Sequence, residues 1–167
     1  SRTFPAYHSK AGQPTYFVEK LYNSIYRDAT GDWSDAIGDI SSYVVELNHT
    51  IMGRKHHTIR AGSRWKAGQK FSPRVWGTDI NPISGKSGPY QSKQIIIAPD
   101  IEITQAYSIV IRRESLLNWR VKINDKLISA PKITELAEND GLLHKDLLDW
   151  FNVPEGIDFC GQIICWN

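Results

Sequence analysis

Apolar residues at 17, 21 and 25 recur at i, i+4 and i+8, with Val18 and Tyr22 beside them. That spacing predicts a helix over 15–26 with one apolar face. Pro14 and Thr15 suit its start, since proline is tolerated in a first turn and a threonine hydroxyl can cap. Residues 28–41 lose all periodicity and fill with Gly, Asp and Ser, which predicts a loop insertion. Residues 43–51 fit a strand or a helix equally. Short runs rich in β-branched and aromatic residues predict strands over 70–76, 94–97, 107–111, 119–123 and 159–166. Asn124-Asp125-Lys126 supplies a turn into Leu127-Ile128. Between the first two of these strands, 78–92 carries Pro82, Gly85, Gly88 and Pro89, the composition of a second loop insertion. A short helix is expected over 134–138. Asp140 is expected to cap another, in which Leu143, Leu147 and Phe151 keep helical spacing. This succession predicts a single α+β domain over 1–167, a small mixed β-barrel flanked by helices.

The bulk numbers agree with a globular chain. Its 167 residues are 41% hydrophobic and 23% charged, with a net charge of +2. That near-neutral total conceals a segregation. Within 47–99 the only acidic residue is Asp79, whereas Arg54, Lys55, Arg60, Arg64, Lys66, Lys70, Arg74, Lys86 and Lys93 all lie there. Residues 132–158 reverse the balance, with Glu135, Glu138, Asp140, Asp146, Asp149, Glu155 and Asp158 against Lys132 and Lys145. A local basic surface with carboxylates nearby suits a phosphate-bearing ligand better than a uniform cationic coat would.

No apolar run is long enough to span a bilayer, so no membrane partner is expected. Residues 1–5 lack the apolar middle of a secretory signal. Cys160 and Cys165, five apart in one predicted strand, face opposite sides and cannot bridge. They read as reduced thiols in or near the core, which places the chain in the cytoplasm. His56-His57 lacks the i, i+4 spacing of helical chelation, and no Cys-X-X-Cys knuckle is present. Neither a metal nor a cofactor is expected. No phosphate loop or Gly-X-Ser-X-Gly elbow appears either.

Three phrases stand in order: Gly53-Arg54-Lys55-His56-His57-Thr58-Ile59-Arg60, then Trp65-Lys66-Ala67-Gly68-Gln69, then Leu136-Ala137-Glu138-Asn139-Asp140-Gly141-Leu142 before Trp150-Phe151. Together they resemble the ASCH domain family of the PUA-like superfamily, in versions found in bacteria and their phages. The resemblance runs over 13–166. It implies a PUA-like mixed β-barrel of five to six strands, a cleft between barrel and helices, and recognition of RNA or a modified nucleoside. One branch resembles N4-acetylcytidine amidohydrolases, which use a lysine, a threonine and a glutamate. Carried over, these fall on Lys55, Thr58 and Asp140, with Glu138 as the alternative acid. The chain departs from that branch in offering Asp where those enzymes have Glu, and in being much longer.

Each chemistry imposes conditions. A threonine nucleophile needs a base, and a lysine serves as one only when burial or a neighbouring cation destabilises its ammonium. Three residues is an odd spacing, so Lys55 and Thr58 share a site only if the backbone turns between them. Arg54, Arg60, Arg64 and Lys66 are candidates for phosphate, and Trp65 or Trp76 for stacking on a base. The expected function is therefore a nucleic-acid or modified-nucleotide binding module, RNA favoured. The alternatives are a nucleoside amidohydrolase, less readily a ribonuclease, or a protein-binding role for loops 28–41 and 78–92 through Trp33 and Tyr90.

Overall fold

The computed structural model describes residues 3–25, 51, 53–116 and 118–166. The predicted insertion at 28–41, with Trp33, and the predicted element at 43–51, apart from Ile51, lie outside the described residues. The first helix, α1 (Phe17–Ile25), buries Val18, Leu21 and Tyr22 along the expected stripe. The Phe17 N–H reaches the Thr15 hydroxyl at 3.4 Å, just before the helix. Two further helices, α2 (Ala130–Asn139) and α3 (His144–Phe151), lie near the end of the chain.

The described strands are β1 (His57–Ala61), β2 (Lys70–Phe71), β3 (Arg74–Trp76), β4 (Gln94–Ile96), β5 (Ile101–Glu102), β6 (Gln105–Arg113), β7 (Trp119–Ile123), β8 (Lys126–Leu127) and β9 (Asp158–Cys165). Five of them form one antiparallel sheet in the order β1-β9-β6-β7-β8. The others form two pairs, β2 with β5 and β3 with β4. The fold is thus α+β, with a five-stranded antiparallel sheet and two small sheets; no closed barrel forms among the described residues.

Three expectations are corrected here. The single strand predicted over 70–76 is two strands serving different sheets. Pro73 lies between them, and a residue without an N–H cannot continue a ladder. The helix predicted over 134–138 begins at Ala130, because Pro131 fits the first turn rather than breaking it. Asp140 closes α2 instead of opening α3: it is the C-cap of α2, with Gly141 following at φ 79°, while Leu143 stands before α3. A left-handed glycine at this point is a helix-stop signal.

β9 lies between β1 and β6 in the sheet. His57 pairs with Cys165 and Ile59 with Ile163 on one side, and Ile109 pairs with Gly161 on the other. Side chains alternate, so one face of the sheet presents Ile59, Ile109, Ile111, Val121 and Ile163 to Ile133, Leu136, Ala137, Leu142 and Leu147 from the α2–α3 region. A second cluster joins Val18, Leu21 and Tyr22 of α1 to Val75, Ile97 and Trp166. The Tyr22 hydroxyl donates to the Ile97 carbonyl, which ties α1 to the end of β4. Cys165 is half-buried against the first core and Cys160 is exposed, so only one of the two thiols has the near-core setting expected. No helix among the described residues is long and apolar enough to cross a membrane.

Candidate functional site

The basic phrase at 53–60 is held from three sides. Gly53 adopts φ 94°, which opens the turn into it. The Asn23 side-chain amide donates to the carbonyls of Ile51 and Gly53 at 3.0 and 2.9 Å. The backbone N–H groups of Lys55 and His56 then donate to Lys20 of α1 and Asn139 of α2. Lys55 and His56 lie outside the ladder of β1, so the two-residue alternation does not apply between Lys55 and Thr58. Both side chains reach one cavity.

That cavity, of about 120 Å³, is lined by Lys55, Thr58, Arg60 and Asp140, with Phe17 from α1, Arg74 from β3, Trp150 and Trp166. Its volume approaches that of one aromatic ring, since an apolar hollow of about 150 Å³ accepts benzene. Lys55 is only 7% exposed and Asp140 only 5%. The Lys55 ammonium donates to the Asp140 carbonyl oxygen at 2.6 Å and also to the Asp140 carboxylate. The Phe17 ring centroid lies 4.3 Å from the same nitrogen. Lys20, on the next turn of α1, donates to the Gly141 carbonyl at 2.6 Å. Two ammonium groups therefore meet the negative end of α2, where orphan carbonyls and the helix dipole favour cations. Gly141 makes room: a Cβ there would lie 3.2 Å from the Lys20 stem and 3.6 Å from Lys55.

Burial destabilises both charges of the central pair. It pushes Lys55 below the ordinary lysine value while Asp140 pulls it back. It pushes the Asp140 carboxyl above the ordinary carboxylate value while Lys55 pulls it back. Arg60 adds a cation that disfavours the lysine charge and favours the carboxylate. The proton of this pair is thus easier to withdraw from nitrogen than on a solvated lysine.

The remaining candidates divide. Arg60 joins the cavity. Arg54 and Glu138 line a neighbouring groove of about 400 Å³ with Lys10, Lys20 and Asp146, so Asp140 and not Glu138 is the carboxylate at Lys55. Arg64, Trp65 and Lys66, expected as nucleic-acid-binding residues, follow β1 in a loop and do not line the cavity. There the Trp65 backbone exchanges two hydrogen bonds with the Gln162 side chain, and the Arg64 guanidinium lies 5.1 Å from the Trp65 ring. Among the described residues no group of three or more His, Cys, Asp or Glu side chains is placed to hold a metal ion. Sequence reasoning passed over Phe17 and Trp150 at this site, since aromatic residues at helical spacing read as core. It passed over Lys20 as well, because nothing local marks it. Arg74 counted only as one charge of the basic stretch.

His57 points the other way, into the sheet face shared with Ile59, where its Nε2 is buried without a partner. Burial first, then the neighbouring Lys55, lowers its pKa to about 3. The unfolded chain takes up this proton near pH 6.5 and the folded chain resists it until about pH 3. Stability supplied by the neutral ring is therefore whole above pH 6.5 and lost on acidification toward pH 3, with a slope approaching ~1.4 kcal/mol per pH unit. Urea midpoints of the wild type should fall between pH 7 and 5, and those of His57→Gln should fall less. Equal slopes for the two proteins would refute this role.

No protein-family model, curated protein or solved structure matches the chain.

Proposed function

We propose that the protein binds RNA or a modified nucleotide, taking one base into the cavity between α1, β1 and the end of α2. The observation that carries this reading is the convergence of Lys55, Thr58, Arg60 and Asp140 on one hollow the size of an aromatic ring. Trp150, Trp166 and Phe17 supply apolar and π surface for a base. Lys55 and Thr58 supply donors for its polar edge, and Arg60 and Arg74 supply forked donors for phosphate at the wall. The resemblance of the 53–60 and 136–142 phrases to ASCH domains supports the reading; it implies a PUA-like mixed β-barrel of five to six strands, of which the described residues form a five-stranded antiparallel sheet and two small sheets without closure. Fluorescence anisotropy with a labelled single-stranded oligoribonucleotide tests the reading. Binding at low salt should weaken steadily as salt rises, because each phosphate contact releases counterions. Arg60→Ala should bind more weakly. No binding at low salt to any oligoribonucleotide would overturn it.

A second reading, an amidohydrolase acting on an N4-acylated cytidine, is favoured by the buried Lys55 whose ammonium is destabilised. A neutral Lys55 amine takes the Thr58 hydroxyl proton as the oxygen attacks the amide carbon. The tetrahedral adduct then expels the cytosine amine, which recovers that proton from Lys55. Water hydrolyses the resulting Thr58 ester and frees the carboxylic acid. Release of acetate from N4-acetylcytidine by the wild type, lost in Thr58→Ala, would establish this chemistry. Absence of acetate release by the folded wild type would exclude it.

A further inference from the structure

Beyond the cavity, the β3–β4 pair carries a second surface. Val75 faces inward to the α1 cluster, so Arg74 and Trp76 stand on the opposite face of the pair. Tyr90, from the 78–92 loop, lies against Trp76 with ring centroids 5.2 Å apart and planes tilted by 50°. Yet Tyr90 is 88% exposed. Its backbone sits at φ 63°, a left-handed conformation that a bulky residue adopts at a cost.

That conformation is enforced by the turn around it. The Gln91 and Ser92 N–H groups donate to the Gly88 carbonyl at 3.1 and 2.9 Å. The Gly88 N–H donates to the Ser92 hydroxyl at 2.7 Å, and that hydroxyl donates onward to the Asp79 carbonyl at 2.6 Å. A large aromatic side chain is therefore presented to solvent on a fixed mount, with a second ring behind it. Lys86 and Lys93 are exposed on the same loop, and Asp79 is the only acid between 77 and 93. Arg74, two residues before Trp76 and on the same face of β3, also lines the cavity.

An exposed aromatic ring backed by a half-buried one, beside exposed cations, suits a chain of stacked bases joined by phosphates. We infer that Tyr90, backed by Trp76, is a stacking platform for the nucleotide next to the one in the cavity, with Arg74 holding the phosphate between them. The ligand is then a single-stranded segment of RNA and not a free nucleoside. This inference rests on the cavity accepting a base, as proposed above.

The test compares two probes, cytidine monophosphate and a labelled single-stranded oligoribonucleotide, on the wild type, Tyr90→Ala and Tyr90→Phe at one salt concentration. Removal of a stacking ring is expected to weaken the oligonucleotide about tenfold or more. Tyr90→Phe should restore it, and Tyr90→Ala should bind the monophosphate as the wild type does. Circular dichroism should be unchanged in both variants, because the ring is exposed. Wild-type affinity of Tyr90→Ala for the oligonucleotide would overturn the platform, leaving the cavity reading intact and the patch to a protein partner anchored by Ile80, Ile83 and Tyr90. Equal losses for both probes would overturn it too. If the wild type binds neither probe, the cavity reading fails and the platform fails with it.

Discussion

Asp140→Ala is expected to lower the unfolding free energy by about 3–5 kcal/mol, because it strands the Lys55 ammonium in the interior with one carbonyl as its remaining acceptor. The size follows from burial. At 7% exposure the Lys55 ammonium is largely withdrawn from bulk water, with the Phe17 ring and the end of α2 as its neighbours. Urea titration at neutral pH measures the loss. The double variant Lys55→Met, Asp140→Leu should recover most of it, since an apolar pair of similar volume removes both desolvation penalties. A loss below about 1 kcal/mol for Asp140→Ala would mean that the ammonium finds solvent. The double variant should nonetheless bind no nucleotide, which separates the stability of the pair from its use.

Gly161→Ala is expected to cost about 3 kcal/mol, at the upper end of ordinary overpacking. Gly161 lies in β9 with Ala61 on one flank and Ile109 on the other. A Cβ at this position would collide with the Arg60 carbonyl oxygen and approach the Phe159 ring at 2.9 Å. The ring can swing aside. The carbonyl cannot, because β1 is fixed by its own ladder. Phe159→Ala should therefore fail to rescue Gly161→Ala, a comparison readable from thermal midpoints. Since Arg60 lines the cavity, oligonucleotide affinity should fall in the same variant. A loss of only a few tenths of a kcal/mol would show that the sheet yields between β1 and β9.

Much of this architecture was legible in the chain because it rests on local pattern. The stripe at Phe17, Leu21 and Ile25 marked α1, and β-branched runs marked β6, β7 and β9. What escaped depended on partners far away in sequence. Nothing in 70–76 says that its two halves join different sheets, although Pro73 marks the seam. Asp140-Gly141 carries a stop signal that an equally good helix-start signal masked, since an aspartate before an apolar run satisfies both descriptions. At the site, the Gly-Arg-Lys phrase drew attention to Lys55 and Thr58, while their companion Asp140 followed from the resemblance. Arg64 and Lys66 looked equivalent to Arg60 because charge along a chain carries no direction. Only the ladder decides that Arg60 faces the cavity and that the next turn leads away from it.

The position of β9 bears on how the molecule assembles. β1 touches β6 nowhere in the sheet except through β9, and Thr58 finds its partner in Ile164. A polypeptide emerging from the ribosome carries β1 unpaired until the segment at 158–165 has been made. Pairings this distant close slowly. Refolding should accordingly show one late step in which sheet and cavity appear together, and a nascent chain stopped before 158 should lack the cavity, whose lining includes Trp166.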